Sequence, residues 1–246
     1  MGLDPPLADD DLTADVLSAA LPGRPLRSYP ALLSTEADAL AWARAGAPEG
    51  ALVVADYQAS PRGRAGLPWY VRPGEGLGFS LVLRPDLPIE REGWLYAAAV
   101  SGLADVAGSD AKVEWPDEVY RGDVRTHAAG VQVELGPQTI RWAVVTVLAV
   151  QARPPRAPLL TELVGAIEQR YRSPAEDVRA DYLPRCMTIG RTVEARLIPV
   201  GPAGPRVTGE AVDVLTDGAL VIQTARGSRV AVRPQNLGLL EDASAS

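Results

Sequence analysis

Apolar residues recur at helical spacing over Leu12–Ala20, where Asp10 or Asp11 is available as an N-cap and Pro22-Gly23 ends the run. Pro25–Leu33 reads as extended chain leading to Ser34-Thr35. Glu36–Ala45 carries apolar residues at Ala37, Leu40, Ala41 and Ala45, with Gly46 in the C′ position, which predicts a helix capped by Ser34 or Thr35. Ala51–Ala55 and Phe79–Leu83 are short apolar runs of the kind that form buried strands. Between them, from Gln58 to Gly76, glycines and prolines are too dense for a regular element. Trp94–Ala107 predicts a long helix. Lys112–Trp115, Gly130–Leu135 and Thr139–Val150 predict three strands, the last two joined at Gly136-Pro137. A Pro/Arg segment, Arg153–Pro158, leads to helices at Leu159–Tyr171 and Glu176–Leu183. The sum is a mixed sheet with helices on one or both faces.

After Cys186 the texture changes. Gly190–Val200, Gly209–Leu215, Leu220–Thr224 and Arg229–Val232 alternate over short spans and are separated by Gly, Pro, Asp-Gly and Arg-Gly turns, the pattern of a small barrel of four or five strands.

Composition narrows the function classes. At 246 residues and 47% hydrophobic content the chain has material for a large buried core. A net charge of -7 argues against a nucleic-acid surface, which relies on clustered Lys and Arg. No run approaches the ~20 apolar residues of a membrane helix, and the acidic start MGLDPPLADDDL is unlike a secretory leader, so the expectation is a cytoplasmic protein without a membrane partner. One cysteine excludes an internal disulfide, and one histidine excludes a Cys/His zinc site of the usual ligand count. A metal could be held only by carboxylates, and none is expected.

A series of local phrases then stands out by its order. Ser34-Thr35 opens a helix, and Ala45–Gly50 (AGAPEG), Val53–Gln58 (VVADYQ), Arg62-Gly63-Arg64, Gly66, Trp69 and Gly76–Pro85 (GLGFSLVLRP) follow. Trp115-Pro116, Ala129-Gly130 and Val133-Glu134 complete it within the central stretch Ala111–Glu134. Together these resemble the biotin-protein ligase family. The resemblance implies an α+β fold: a short N-terminal helical segment over 1–25, a biotin/lipoate-protein-ligase-like domain over 26–186 with a mixed sheet packed with helices, and an SH3-like β-barrel over 187–246.

Enzymes of that family join biotin to ATP as biotinyl-adenylate and pass the acyl group to a lysine on a carrier domain. The resemblance assigns biotin contacts to Ser34, Thr35, Gln58, Arg62, Gly63, Trp69 and Gly130. It assigns nucleotide contacts to Arg62, Arg64, Trp115, Asp117 and Glu118, and catalytic places to Arg64 and His127. A doubly polar ring in an apolar pocket needs such partners, because each unpaired buried polar group costs about 1–3 kcal/mol.

Five positions depart from the family in one direction. His127 stands where the family has its catalytic lysine, and the sole lysine of the chain is Lys112. Pro61 replaces the first glycine of the Gly-Arg-Gly-Arg-Arg-Gly loop and removes an N–H. Glu114 replaces a common Lys, Asp117-Glu118 replaces Asn-Asp, and Thr146–Val150 replaces Gly-x-Gly-x-Asn. Losing one electrostatic contact to a developing charge typically costs roughly 3–4 kcal/mol of barrier. The expectation is a degenerate homologue with little or no adenylating activity, binding biotin, a carrier domain or an active ligase, or forming a homodimer. The competing expectation is an active ligase for biotin or another acyl group, using ATP and Mg²⁺.

Bland readings stand beside these. His127 reads as a solvated hairpin histidine, Asp117-Glu118 as a solvated turn or a weak Mg²⁺ site, Glu36 as a helix-dipole residue, and Arg62 and Arg64 as either ligand contacts or surface charges. Cys186 reads as a buried structural thiol.

Overall fold

A computed structural model describes residues 11–64, 69, 75–201 and 203–243. The loop residue Gly66 and the cap candidate Asp10 lie outside the described residues. The chain opens with helix α1 (Ala14–Ala20), strand β1 (Leu26–Leu32), helix α2 (Thr35–Arg44) and strands β2 (Leu52–Gln58) and β3 (Leu77–Leu83). Helix α3 (Trp94–Ala107) precedes β4 (Lys112–Glu114), β5 (Glu118–Arg121), β6 (Val124–Leu135) and β7 (Ile140–Ala149), and helices α4 (Ala157–Arg172) and α5 (Ala175–Tyr182) follow. The carboxy-terminal part contributes β8 (Thr192–Leu197), β9 (Arg206–Val214), β10 (Leu220–Gln223), β11 (Arg229–Val232) and β12 (Leu237–Asp242).

Seven strands form a mixed sheet in the order β1-β2-β3-β7-β6-β5-β4, in which only β1 and β2 run parallel. Alternation along β7 sorts its side chains by face. Ala143, Val145, Val147 and Ala149 join the large core beneath α3 and α4, while Trp142 and Val144 pack with Ala39 and Ala43 of α2 on the opposite face. Both faces are therefore covered, and α3, with water on almost no side, is apolar nearly all round.

The second sheet is antiparallel in the order β11-β10-β9-β8-β12. Its inward residues Val193, Ala195, Ala211, Leu220, Ile222 and Leu237 belong to the same hydrophobic cluster as Leu95, Val113 and Trp115 of the first sheet and its helices. The two sheets share one hydrophobic core. A Cβ on Gly218 would lie 2.2 Å from the Gly93 carbonyl oxygen, and Gly218 has φ of +83°, so two requirements converge on glycine there.

Three local expectations are corrected. Helix α1 is capped by Thr13, whose hydroxyl accepts from the Val16 N–H, while Asp11 accepts from Arg156 instead. Strand β6 begins at Val124 rather than Gly130, because β5, which local patterning misses, pairs with its first half and supplies the backbone partners. Strand β12 adds a carboxy-terminal strand beyond Val232 that pairs with β8.

Candidate ligand site

The face of the large sheet that carries α2 turns polar at its centre. Ser80 of β3 and Thr146 of β7 are paired across the strands and fully buried. The Ser80 hydroxyl donates to Thr35 Oγ1 at 2.9 Å and lies 2.9 Å from Thr146 Oγ1. Thr35 in turn donates its N–H (2.8 Å) and its hydroxyl (3.1 Å) to Gln58 Oε1. Because the N–H can only donate, the Gln58 amide orientation is fixed, with oxygen toward Thr35 and nitrogen toward β3. Donation therefore runs from Thr146 through Ser80 and Thr35 to Gln58. The Gln58 amide nitrogen lies beside Gly78, where a Cβ would come within 2.1 Å.

Ser34 occupies the N-cap position of α2 in extended conformation, is buried, and makes no side-chain capping bond. Of the two cap candidates, Ser34 or Thr35, Ser34 thus holds the N-cap position without a side-chain bond, and the Thr35 N–H and hydroxyl turn to Gln58. Glu36 in the next position carries a buried carboxylate oxygen without a hydrogen-bond partner. Burial raises its pKa against the opposing charge of Arg62.

The 61–64 segment lies over β6. A Cβ on Gly130 would meet the Gly63 carbonyl carbon at 3.2 Å and the Arg64 nitrogen at 3.3 Å, and a Cβ on Gly63 would strike the Trp69 ring at 2.3 Å. Backbone thus rests on backbone, with Trp69 stacked above it and packed on Ala128, Leu148 and Val150. Trp69 donates its N–H to the Pro61 carbonyl at 3.0 Å.

Beside this segment a pocket of about 360 Å³ opens between the two sheets, lined by Arg64, Trp69, Glu114, Trp115, Asp117 and Glu118, with Arg125, Leu239 and Leu240. Arg64 is buried, donating from Nε to Asp117 Oδ1 at 3.1 Å and from Nη1 to the Leu237 carbonyl at 2.6 Å. Neither surface charge nor solvated turn describes this pair. Burial pushes the Asp117 carboxyl up to about 6, against the pull of Arg64. Arg125 is paired with Glu118, and Glu114 with Arg191. Trp115 donates its indole N–H to the Gly218 carbonyl at 2.9 Å and its backbone N–H to Thr188 Oγ1 at 2.9 Å, which fixes it between the sheets. Both arginines lining the pocket are thus already matched to carboxylates. Among the described residues no group of three or more His, Cys, Asp or Glu could hold a metal ion.

His127 is in a different place. It pairs in register with Ala149, whose side chain faces α3 and α4, and both line a separate pocket of about 230 Å³ with Val106, Ala107, Thr126 and Leu159. Its Nδ1 lies 3.0 Å from Thr126 Oγ1. The ring is buried rather than solvated, and burial lowers its pKa to about 4, so it is neutral near pH 7. Gly130 and Ala128 present the opposite face of β6 to the 61–64 segment and Trp69.

The fold therefore brings together Thr35, Gln58, Gly63, Trp69 and Gly130, joins Trp69 also to Arg64, Trp115, Asp117 and Glu118 around the pocket between the sheets, and leaves His127 apart. Gly78, Ser80 and Thr146, which motif reading carries only as parts of longer phrases, and the Leu237 carbonyl, which it does not touch, also take part. A serine and a threonine inside otherwise apolar strands were the available signal, since a buried hydroxyl requires a partner.

No family model matches the chain. It is 29% identical over 256 residues to the biotin--[acetyl-CoA-carboxylase] ligase of Mycobacterium tuberculosis, covering 94% of each chain. It is 25% identical over 245 residues to the bifunctional ligase/repressor BirA of Bacillus subtilis, covering 86% of this chain and 73% of that one. The biotin protein ligase from Aquifex aeolicus in complex with biotin and ATP superposes with a TM-score of 0.67 at 20% identity, over 89% of this chain and 99% of that chain, a shared fold. Among the described residues no helix is long and apolar enough to cross a membrane. From the ordered phrases of its sequence, its similarity to these ligases along most of their length and its shared fold, the chain belongs to the biotin-protein ligase family.

Proposed function

We propose that this protein binds biotin against the Thr35–Gln58 pairing and has little or no capacity to form biotinyl-adenylate. The observation that carries the first half is the Thr35–Gln58 pairing beside Gly78, which leaves the Gln58 amide nitrogen and the Ser34 hydroxyl to meet a polar ring head. Trp69, Gly63 and Gly130 supply an apolar and backbone wall for the remainder, with Arg62 at its margin. A ureido group offers a carbonyl to such a donor and N–H groups to hydroxyl oxygens, so the pairing suits it chemically.

The second half follows from charge. Phosphate chemistry needs cations placed where negative charge develops. His127 is neutral and lines the helix-facing pocket, while Arg64 and Arg125 are each paired with a carboxylate. Leu148 and Val150 stand against Trp69 where the family pattern has glycine and asparagine. On this reading the protein acts as a non-catalytic partner of a biotin carrier domain or of an active ligase in the cytoplasm, as a monomer or homodimer. Its carboxy-terminal sheet is taken as the SH3-like barrel of the family.

The second reading is an active ligase, with ATP and Mg²⁺ as co-substrates. It is favoured by the similarity to the Mycobacterium tuberculosis ligase along nearly its whole length. Isothermal titration with biotin, then with ATP and Mg²⁺ in the presence of biotin, separates the two. Biotin binding without nucleotide binding is expected. Biotinyl-adenylate detected by mass spectrometry, or biotin transferred to a carrier domain, overturns the proposal in favour of the ligase, and absence of biotin binding removes the ligand assignment.

A further inference from the structure

We infer that Arg64 is a positioning residue through which the carboxy-terminal sheet holds the 61–64 segment on β6, so that the ligand wall is assembled by both sheets together. Three contacts on one guanidinium carry this: Asp117 Oδ1 at 3.1 Å, the Leu237 carbonyl at 2.6 Å and the Gly238 carbonyl at 3.4 Å. The first comes from the turn after β4, and the other two from the start of β12. The next residues of β12, Leu239 and Leu240, line the same pocket as Arg64 and Trp69. One strand of the second sheet thus supplies both an anchor for the segment and part of the pocket wall.

The arrangement asks for an arginine. Its planar fork presents several donors in fixed directions, so a carboxylate and a carbonyl on different elements can be met at once, whereas a lysine offers one nitrogen at the end of a flexible stem. The segment has little freedom to find another seat. Gly63 lies beneath Trp69, and the Gly63–Arg64 backbone rests on Gly130, so release of the Arg64 anchor loosens the wall that Trp69 forms.

The inference rests on the ligand site proposed above only in its binding arm. The Trp69 N–H, bonded to the Pro61 carbonyl, reports on the segment directly by amide hydrogen exchange in the full chain. Arg64→Lys and Arg64→Ala are expected to speed that exchange at least tenfold while amides of α4 keep wild-type rates, and to weaken biotin binding at least tenfold. Gly238→Ala tests the connection from the far side with Arg64 intact. A Cβ there would lie 2.1 Å from Val200 Cγ2 and 3.3 Å from the Arg196 carbonyl oxygen, and where amide exchange along β12 shows that its start has shifted to relieve the clash, Trp69 exchange is expected to rise as well. Wild-type Trp69 exchange in a Gly238→Ala protein whose β12 start has shifted, or wild-type exchange and affinity in Arg64→Lys, overturns the inference. If the exchange results hold but no variant and no wild type binds biotin, the positioning role stands and the biotin assignment fails.

Discussion

Gly78 and Gln58 are matched by the absence of a side chain: a Cβ on Gly78 would lie 2.1 Å from the Gln58 amide nitrogen. The glycine is thereby a condition for the Thr35–Gln58 pairing, since it gives the amide room to turn its oxygen to the helix. Gly78→Ala is expected to displace the Gln58 side chain and weaken biotin binding at least tenfold. The clash falls on the end of a flexible side chain, so the thermal midpoint should move by only a few degrees. Calorimetric titration and a melting curve on the same sample check both parts, and unchanged affinity would contradict the assignment of Gln58.

Acid sensitivity should reveal two buried groups that act in opposite directions. His127 has its pKa lowered to about 4, so its contribution to stability is complete above its ordinary value near 6.5 and is lost as pH falls through about 4. Asp117 has its pKa raised to about 6, so its contribution is complete below its ordinary value near 3.8 and is lost as pH rises through about 6. Between about pH 4 and 6 the two oppose each other. Relative to wild type, His127→Asn should become less acid-sensitive across that window, and Asp117→Asn more so. Urea midpoints at three pH values across the window measure the slopes, and parallel slopes for all three proteins would refute the assignment.

Arg156 is expected to be among the costliest residues to remove. Its side chain is 1% exposed and makes ion pairs at 2.6 Å with both Asp11 and Asp56, tying the start of the described chain to β2 and to the entry of α4. Deleting one partner of a buried ion pair strands the other charge and typically costs about 3–5 kcal/mol. Arg156→Met should lower unfolding free energy by about that amount, and adding Asp11→Asn should cost less than the sum of the separate changes. Equilibrium urea unfolding of the three variants decides this.

Cys186 should behave as a structural thiol. It is buried, bridges to Val113 in the backbone, and burial pushes its pKa up. Native protein is expected to react with a thiol reagent only slowly at pH 8, and unfolded protein at the rate of a free thiol. Fast reaction in the native state would show that the junction opens readily.

Much of the fold was legible from periodicity because the responsible forces are local. Trp94–Ala107 forms a helix over the span that its apolar run predicts, and Gly46 ends α2 at C′. Where pairing partners are remote, local reading failed. Strand β5 and the first half of β6 carry polar residues such as Glu118, Arg125 and Thr126, whose strand character comes from each other and not from burial. Asp11 was available as a helix cap, yet a buried arginine 145 residues away provides a stronger partner.

The sequence by itself determined the family, through phrases whose order needs no coordinates, and it pointed to Thr35, Gln58, Gly63 and Gly130, which lie on one face of the large sheet. Their chemistry is carried by residue type, which the chain states directly. Tertiary structure alone decided which face each side chain occupies, and with it which charges meet. Strand alternation turns His127 toward the helices and Gly130 toward Trp69, although only three positions separate them. Burial then makes the histidine neutral, and the second sheet brings the Leu237 carbonyl to Arg64, 173 residues away in sequence. Desolvation and long-range pairing depend on what folds over a residue, and that information is distributed across the whole chain.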